Sequence, residues 1–371
     1  MSITAQEMIE RGAGIGSDGH PLEQIQALTI RKPDELLAMQ FDDSDRILGD
    51  RLMALAQSFT MVGSGSIGKS RLLLQLAVAV ITGREFVGFE TRRADLRWLI
   101  LGSENSTRRL QMDFGALRKW VGPGDWAKVN EQLSIQTLET DADAFLSLDS
   151  SRTQDRIADT IRETDPNVVA FDSLYNFGVG DLNHDEDMAA TLLTLSRLTR
   201  AGNPERVPSV LHHALTGRAG AARATGYDRA SFGRNSKVLH SWTRGQLNVA
   251  PGSPDSNDLL VLSCGKCSNG KEFAPFAVRL NPDTMIYEVA PDFDLAGWQS
   301  DVTGKRTQAP TITPERVREL CKGAIAKKEL AKAILEDCGC ARSYAYRMID
   351  KAQGARLIHY TKATERYVAK A

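Results

Sequence analysis

Residues 63 to 70 read Gly-Ser-Gly-Ser-Ile-Gly-Lys-Ser, which places glycines, a lysine and a hydroxyl at the G-x-x-x-x-G-K-[ST] spacing that grips phosphate. Such a loop works only between the end of a strand and the start of a helix, where backbone N–H groups converge on an anion. Both flanks are present. Ser58 to Val62 is a short β-prone run, and Arg71 to Thr82 is a helix-length, nearly all-apolar run that a sheet would bury. Gly63, Gly65 and Gly68 then let the backbone approach a triphosphate, with Ser64, Ser66, Ile67 and Arg71 completing the cradle. Lys69 reaches the β- and γ-phosphates, and the Ser70 hydroxyl is a ligand for Mg²⁺.

Two acids could complete the chemistry. Val168-Val-Ala-Phe-Asp172-Ser173 is an apolar strand ending in a carboxylate, and ligands of parallel sheets bind outside the carboxyl ends of strands. Asp172 is therefore expected opposite Lys69, holding Mg²⁺. Leu99-Ile-Leu-Gly-Ser-Glu104 has the same shape, with Glu104 just beyond the strand, where it could orient and deprotonate an attacking water.

These residues need a frame. Strand candidates Phe59 to Val62, Leu96 to Leu101, Leu133 to Gln136, Val168 to Phe171 and Ser209 to His212 alternate with helical segments, among them 151 to 163 and 186 to 200. That alternation predicts an α/β fold with a mostly parallel sheet. From residue 237 the texture reads as β, in short runs over 237 to 249, 258 to 264 and 275 to 289.

At 371 residues the chain is long enough for two domains. Hydrophobic content of 42% and charged content of 25% are ordinary for a globular protein. No run of about 18 apolar residues suggests a membrane span, and the N-terminus lacks the apolar segment of a secretory signal. Five cysteines in such a length do not make a disulfide framework, so a reducing, cytoplasmic setting is expected. Cys264-Gly-Lys-Cys267 has half the spacing of a zinc site without a matching second pair, and reads as ordinary thiols.

The net charge of −1 hides an asymmetry, because residues 311 to 371 carry 13 Lys and Arg against 7 Asp and Glu. The organisation expected is an N-terminal arm over 1–40, an ATPase domain over 41–295, a linker over 296–313 rich in polar residues and proline, and a basic domain over 314–371. The last of these reads as three short helices and a hairpin, the grammar of a winged helix-turn-helix domain. Its third helix would present Arg342, Ser343, Tyr344, Arg347 and Lys351 to duplex DNA, with Lys362 in the hairpin turn. Such domains also dock proteins.

Taken together, the 63 to 70 loop, Glu104, Asp172-Ser173-Leu174 with Gly180-Asp-Leu-Asn183 behind it, and Val210-Leu-His212-His213-Ala resemble the RecA-fold ATPases of the plasmid RepA helicase family over roughly residues 45 to 290. The resemblance implies a RecA-like P-loop core that binds ATP and Mg²⁺ and assembles as a homo-oligomeric ring, expected to be a hexamer, around single-stranded DNA. It implies that Glu104 is the catalytic base and that His213 or His212 senses the γ-phosphate. It also implies that Arg234 and Arg244, ten positions apart, match a pair in which the second arginine reaches the neighbouring subunit's nucleotide. A cation lent in this way is worth on the order of 10³ to 10⁵ in rate, and Lys266 is a second candidate for that reach.

The stretch 216 to 237, rich in Gly, Ala and Arg, is expected to be a mobile loop that offers Arg218, Arg223 and Arg229 to DNA phosphates. The reading is an ATP-dependent DNA helicase or translocase of a plasmid, phage or other mobile element. The alternative is a DNA-binding ATPase switch, such as a regulator, recombination mediator or loader, that does not unwind.

Overall fold

The computed structural model describes residues 30–40, 42–102, 106–138, 146–214, 216–233, 236–304, 312–338, 342–362 and 364–370. The chain divides into two units, Met1–Ser44 and Asp45–Ala371. In the first, the described residues hold one short helix, α1 (Pro33–Leu37), on which Leu37 is 82% exposed. Gly12, Gly14, Gly16 and Gly19 of the expected arm lie outside the described residues.

The second unit opens on a small ladder of β1 (Arg46–Leu48) and β2 (Met53–Ala54), then enters a nine-stranded sheet. In chain order the first five of its strands are β3 (Phe59–Gly63), β4 (Trp98–Gly102), β5 (Leu133–Ile135), β6 (Val168–Asp172) and β7 (Val207–His213). The last four are β8 (Gly245–Pro251), β9 (Leu259–Cys267), β10 (Phe276–Leu280) and β11 (Tyr287–Val289). The spatial order is β11-β10-β9-β8-β3-β7-β6-β4-β5. From β8 to β5 every pairing is parallel, and β9, β10 and β11 extend the sheet by antiparallel pairing.

A parallel sheet of this kind needs crossovers and cover on both faces. One face is covered by α2 (Lys69–Thr82) and α3 (Thr107–Gln132), which breaks at Gly122 before Pro123; Leu72, Leu76, Leu110 and Leu117 pack there on Phe59, Met61 and Trp98. The other is covered by α4 (Ser151–Thr164) and α5 (Asp185–Arg200), whose Ile157, Ile161, Leu192 and Leu195 pack on Val62, Leu99 and Phe171. Successive strand residues, such as Met61 and Val62, go to opposite cores, as the two-residue period of a strand requires. The architecture is a RecA-like P-loop core with a β-rich extension.

The segment expected as a mobile loop over 216 to 237 is instead largely folded. It contains α6 (Gly217–Arg223), a 3₁₀ turn over Gly226–Ser231, and the start of α7 (Ser236–Trp242). Small side chains let it pack closely: Ala221 and Ala224 are buried, and the Ala224 carbonyl accepts from the side chains of Asn248 and Ser263, while the large Phe232 ring is buried with them in the core. Residues 237 to 242, read as β, are helical because Val238, Leu239 and Trp242 share one helix face, and Trp242 Nε1 donates to Ser196 Oγ on α5 at 2.8 Å. The expected linker begins later than 296. A helix, α8 (Leu295–Thr303), caps the second core with Trp298, whose indole donates to the Pro251 carbonyl at 3.0 Å, and it stops at Gly304 in a left-handed cap.

The C-terminal elements are α9 (Pro314–Leu320), β12 (Ile325–Ala326), α10 (Lys327–Cys338), α11 (Arg342–Gly354), β13 (Ile358–Thr361) and β14 (Arg366–Ala369). They surround their own apolar cluster of Val317, Leu330, Ile334, Ile349, Ile358 and Tyr367. Residues 325 and 326 form an edge strand on β14, so the expected hairpin becomes a three-stranded sheet.

Candidate active site

The loop after β3 turns through Ser66, a non-glycine residue at φ 58°, and Gly68, at φ 99°. Glycine is required at two of its positions. A Cβ on Gly63 would stand 2.6 Å from the Val249 carbonyl, and one on Gly68 would stand 2.2 Å from Tyr287 Oη. Lys69 begins α2 and is only 6% exposed, with its Nζ donating to the carbonyls of Gly63 at 3.0 Å and Ser64 at 2.7 Å. A buried ammonium needs oxygen partners, and the loop backbone supplies them.

A cavity of about 290 Å³ opens over the loop. It is lined by Ser66, Ile67, Gly68, Lys69, Ser70 and Arg71 from the loop and α2, by Asp172 at the end of β6, and by His213 at the end of β7. Asp172 is buried, and the backbone there is close: a Cβ on Gly102 of β4 would meet the Asp172 carbonyl at 2.5 Å. The Asp172–Ser173 peptide bond is cis. Of the two histidines, His213 faces the cavity, while His212 is buried beside Gly233.

Five further residues line the same cavity and were not singled out from sequence: Arg109, Asp113, Asn257, Asp258 and Tyr287. Asp113, on α3, is buried between two arginines, accepting from Arg109 Nε at 2.8 Å and Arg71 Nη2 at 3.4 Å. The i,i+4 spacing of Arg109 and Asp113 was a usable signal; their approach to Arg71 was not. Tyr287 is held by Gln75 of α2, whose amide donates to its carbonyl at 2.9 Å and accepts from its N–H at 2.8 Å. Burial pushes the Tyr287 phenol above its ordinary range, and hydrogen bonding and charge from Arg71 oppose that shift.

Other expected site residues lie elsewhere. Arg244 is exposed and precedes β8, its N–H donating to the Ser58 carbonyl at 2.9 Å, at the end of the strand remote from the loop. Nearby Lys266 donates to the His240 carbonyl at 2.6 Å, and burial followed by the charge of Arg244 lowers its pKa. Arg223 is exposed, whereas Arg229 is drawn into an ion pair with Glu272 at 2.6 Å. Arg347 and Lys351 are exposed on α11. Glu104 and Arg234 lie outside the described residues, as do the side chains of Arg218, Arg342, Ser343 and Tyr344.

A family model for an AAA domain matches residues 29–214. The chain belongs to this AAA-domain family. The match runs from before β1 to the end of β7 and so contains the phosphate loop, Asp172 and His213. With the sheet order above, the AAA domain is a RecA-like P-loop ATPase core. Among solved structures, the KaiC-like protein PH0186 from the hyperthermophilic archaeon Pyrococcus horikoshii OT3 aligns at 11% identity and a TM-score of 0.42, covering 64% of this chain and 91% of its own. A search of curated proteins returns no match. Among the described residues no helix is long and apolar enough to cross a membrane.

The donors around the loop suit the ligands that such an ATPase implies. The loop glycines leave room for phosphate, Lys69 and Arg71 offer positive charge, and Ser70 and Asp172 are the hard oxygen donors that Mg²⁺ prefers.

Proposed function

We propose that the protein is a ring-forming, ATP-dependent DNA translocase, a helicase of the kind that replicates plasmids, phages or other mobile elements, acting on single-stranded DNA. One observation carries the reading: Arg244 is exposed at the wrong end of the sheet for its own nucleotide. Gly245 pairs with Phe59 and Val249 with Gly63, so four residues of strand separate the start of β8 from the level of the loop. At the usual rise this is roughly 13 Å. An exposed arginine there, with Lys266 beside it, fits a charge delivered to a neighbouring subunit's triphosphate, and that requires a head-to-tail assembly of copies, which we take to close into a ring.

In this mechanism Lys69 and the loop amides bind and orient the β- and γ-phosphates. Ser70 and Asp172 would hold Mg²⁺, which when bound neutralises charge on the phosphate oxygens. Glu104 takes the proton of the attacking water. His213 donates a hydrogen bond toward the γ-phosphate from one ring nitrogen and passes the state of the site along β7. The C-terminal order helix, strand, helix, helix, strand, strand fits a winged helix-turn-helix, and its basic surplus favours duplex DNA as that domain's partner.

The test is native mass measurement with a non-hydrolysable ATP analogue and a single-stranded oligonucleotide, alongside ATPase and unwinding assays. A hexameric ring whose ATPase rises with single-stranded DNA and which separates a duplex is expected. A protein that stays monomeric under every ligand condition and hydrolyses ATP indifferently to DNA would overturn the proposal.

A further inference from the structure

Two side chains from beyond the AAA-domain match hold the phosphate loop from outside. The turn between β8 and β9 brings Asn257 onto the loop, where its Nδ2 donates to the Ser66 carbonyl at 3.1 Å. Ser66 is the loop's left-handed non-glycine residue, a conformation such residues seldom adopt unaided. Two residues on, Gly68 packs so closely under Tyr287 that no larger residue fits. Tyr287 is itself tied on both sides. Gln75 grips its backbone with two hydrogen bonds, and its Oη donates to the Asn257 carbonyl at 3.5 Å. The contacts close a circuit from the loop through Asn257 and Tyr287 to Gln75, which lies on the helix that the loop begins.

We propose that Asn257 and Tyr287 are positioning residues that hold the phosphate loop in its anion-binding shape and thereby set nucleotide affinity. A loop with three glycines has many conformations to lose when its amides gather around a phosphate. Contacts that fix it beforehand reduce the cost of binding without touching the reacting atoms. The match over residues 29–214 ends before both side chains, so on this view the β-rich extension is part of the nucleotide site. The inference rests on the ATPase reading of the loop and is independent of ring formation or DNA.

The experiment uses the full chain with Mg²⁺ and a fluorescent ADP analogue, together with steady-state ATPase kinetics and thermal melts. Asn257→Ala and Tyr287→Phe are each expected to weaken analogue binding and raise KM about fivefold, the effect of one lost hydrogen bond, with kcat within about threefold of wild type. Asn257→Gln, which keeps an amide donor, should recover part of the affinity. The double variant should lose less than the product of the single losses, because both act on one loop. Unchanged affinity in a folded Asn257→Ala protein, or a fall in kcat with KM unmoved, would overturn the inference, as would a lowered melting temperature with unaltered nucleotide affinity. Wild-type protein that binds no nucleotide would instead sink the ATPase reading along with it.

Discussion

Gly63 and His213 are register partners on adjacent parallel strands, and the N–H of Ala214, next after the histidine, donates to the Gly63 carbonyl at 2.9 Å. The start of the phosphate loop and the end of β7 are therefore tied by backbone hydrogen bonding. His213→Ala should keep its affinity for the diphosphate, bind the triphosphate about fivefold more weakly for the one lost hydrogen bond, and lose most of its stimulation by single-stranded DNA, as read by nucleotide titration and ATPase assay. His212→Ala, which empties a buried position, should lower the melting temperature instead. Full DNA stimulation in His213→Ala would remove the histidine from the relay.

Lys69 is buried against the loop and Asp172 is buried at the end of β6. Lys69→Ala and Glu104→Gln should each abolish turnover, and they should separate in binding: the first loses affinity for the triphosphate, while the second retains it and traps it unhydrolysed. Filter binding with labelled ATP distinguishes them, and hydrolysis by Glu104→Gln at the wild-type rate would exclude that residue as the base.

Asp113 joins Arg71 to Arg109 at the cavity wall. Asp113→Ala leaves the largely buried Arg71 without this carboxylate, and a stability loss of about 1–3 kcal/mol is expected. Urea unfolding measures it, and a midpoint equal to wild type would show that the pair contributes nothing.

Trp298 anchors α8 to the second core. Trp298→Ala should cost about 3–5 kcal/mol, and truncation after Gly304 should leave a folded ATPase core where truncation after 294 does not. Circular dichroism melts of the two truncations decide this.

Burial pushes the Cys264 thiol up to about 11, and Cys267 is also raised. Only the thiolate reacts, so mapping iodoacetamide adducts by mass spectrometry should find Cys264 almost unlabelled in the folded protein at pH 8. Its labelling should increase as the pH climbs toward 11. Rapid labelling at pH 8 would contradict the buried setting.

The part of the site that lies in short segments was legible in the sequence. The phosphate loop and the strand ending in Asp172 carry their geometry in consecutive residues, and the structure brings them to one cavity with His213. Asn257 and Tyr287 were not legible, because they reach the loop across about 190 to 220 residues of chain through antiparallel pairing that no local pattern announces. The Ala- and Gly-rich stretch after β7 was misread because composition suggested too little apolar surface to fold. The segment packs by close backbone approach, with Asn248 and Ser263 satisfying the Ala224 carbonyl.

Mixing two inactive variants tests most directly whether Arg244 serves a nucleotide held by a different copy of the chain. Lys69→Ala has a dead loop and an intact arginine, and Arg244→Ala has the reverse. Each alone should be inactive, the second still binding ATP, and ATPase activity should reappear when the two are mixed and allowed to assemble, because some interfaces then pair an intact loop with an intact arginine. Full DNA-stimulated turnover by Arg244→Ala alone, or no recovery in mixed assemblies of two folded variants, would contradict that role.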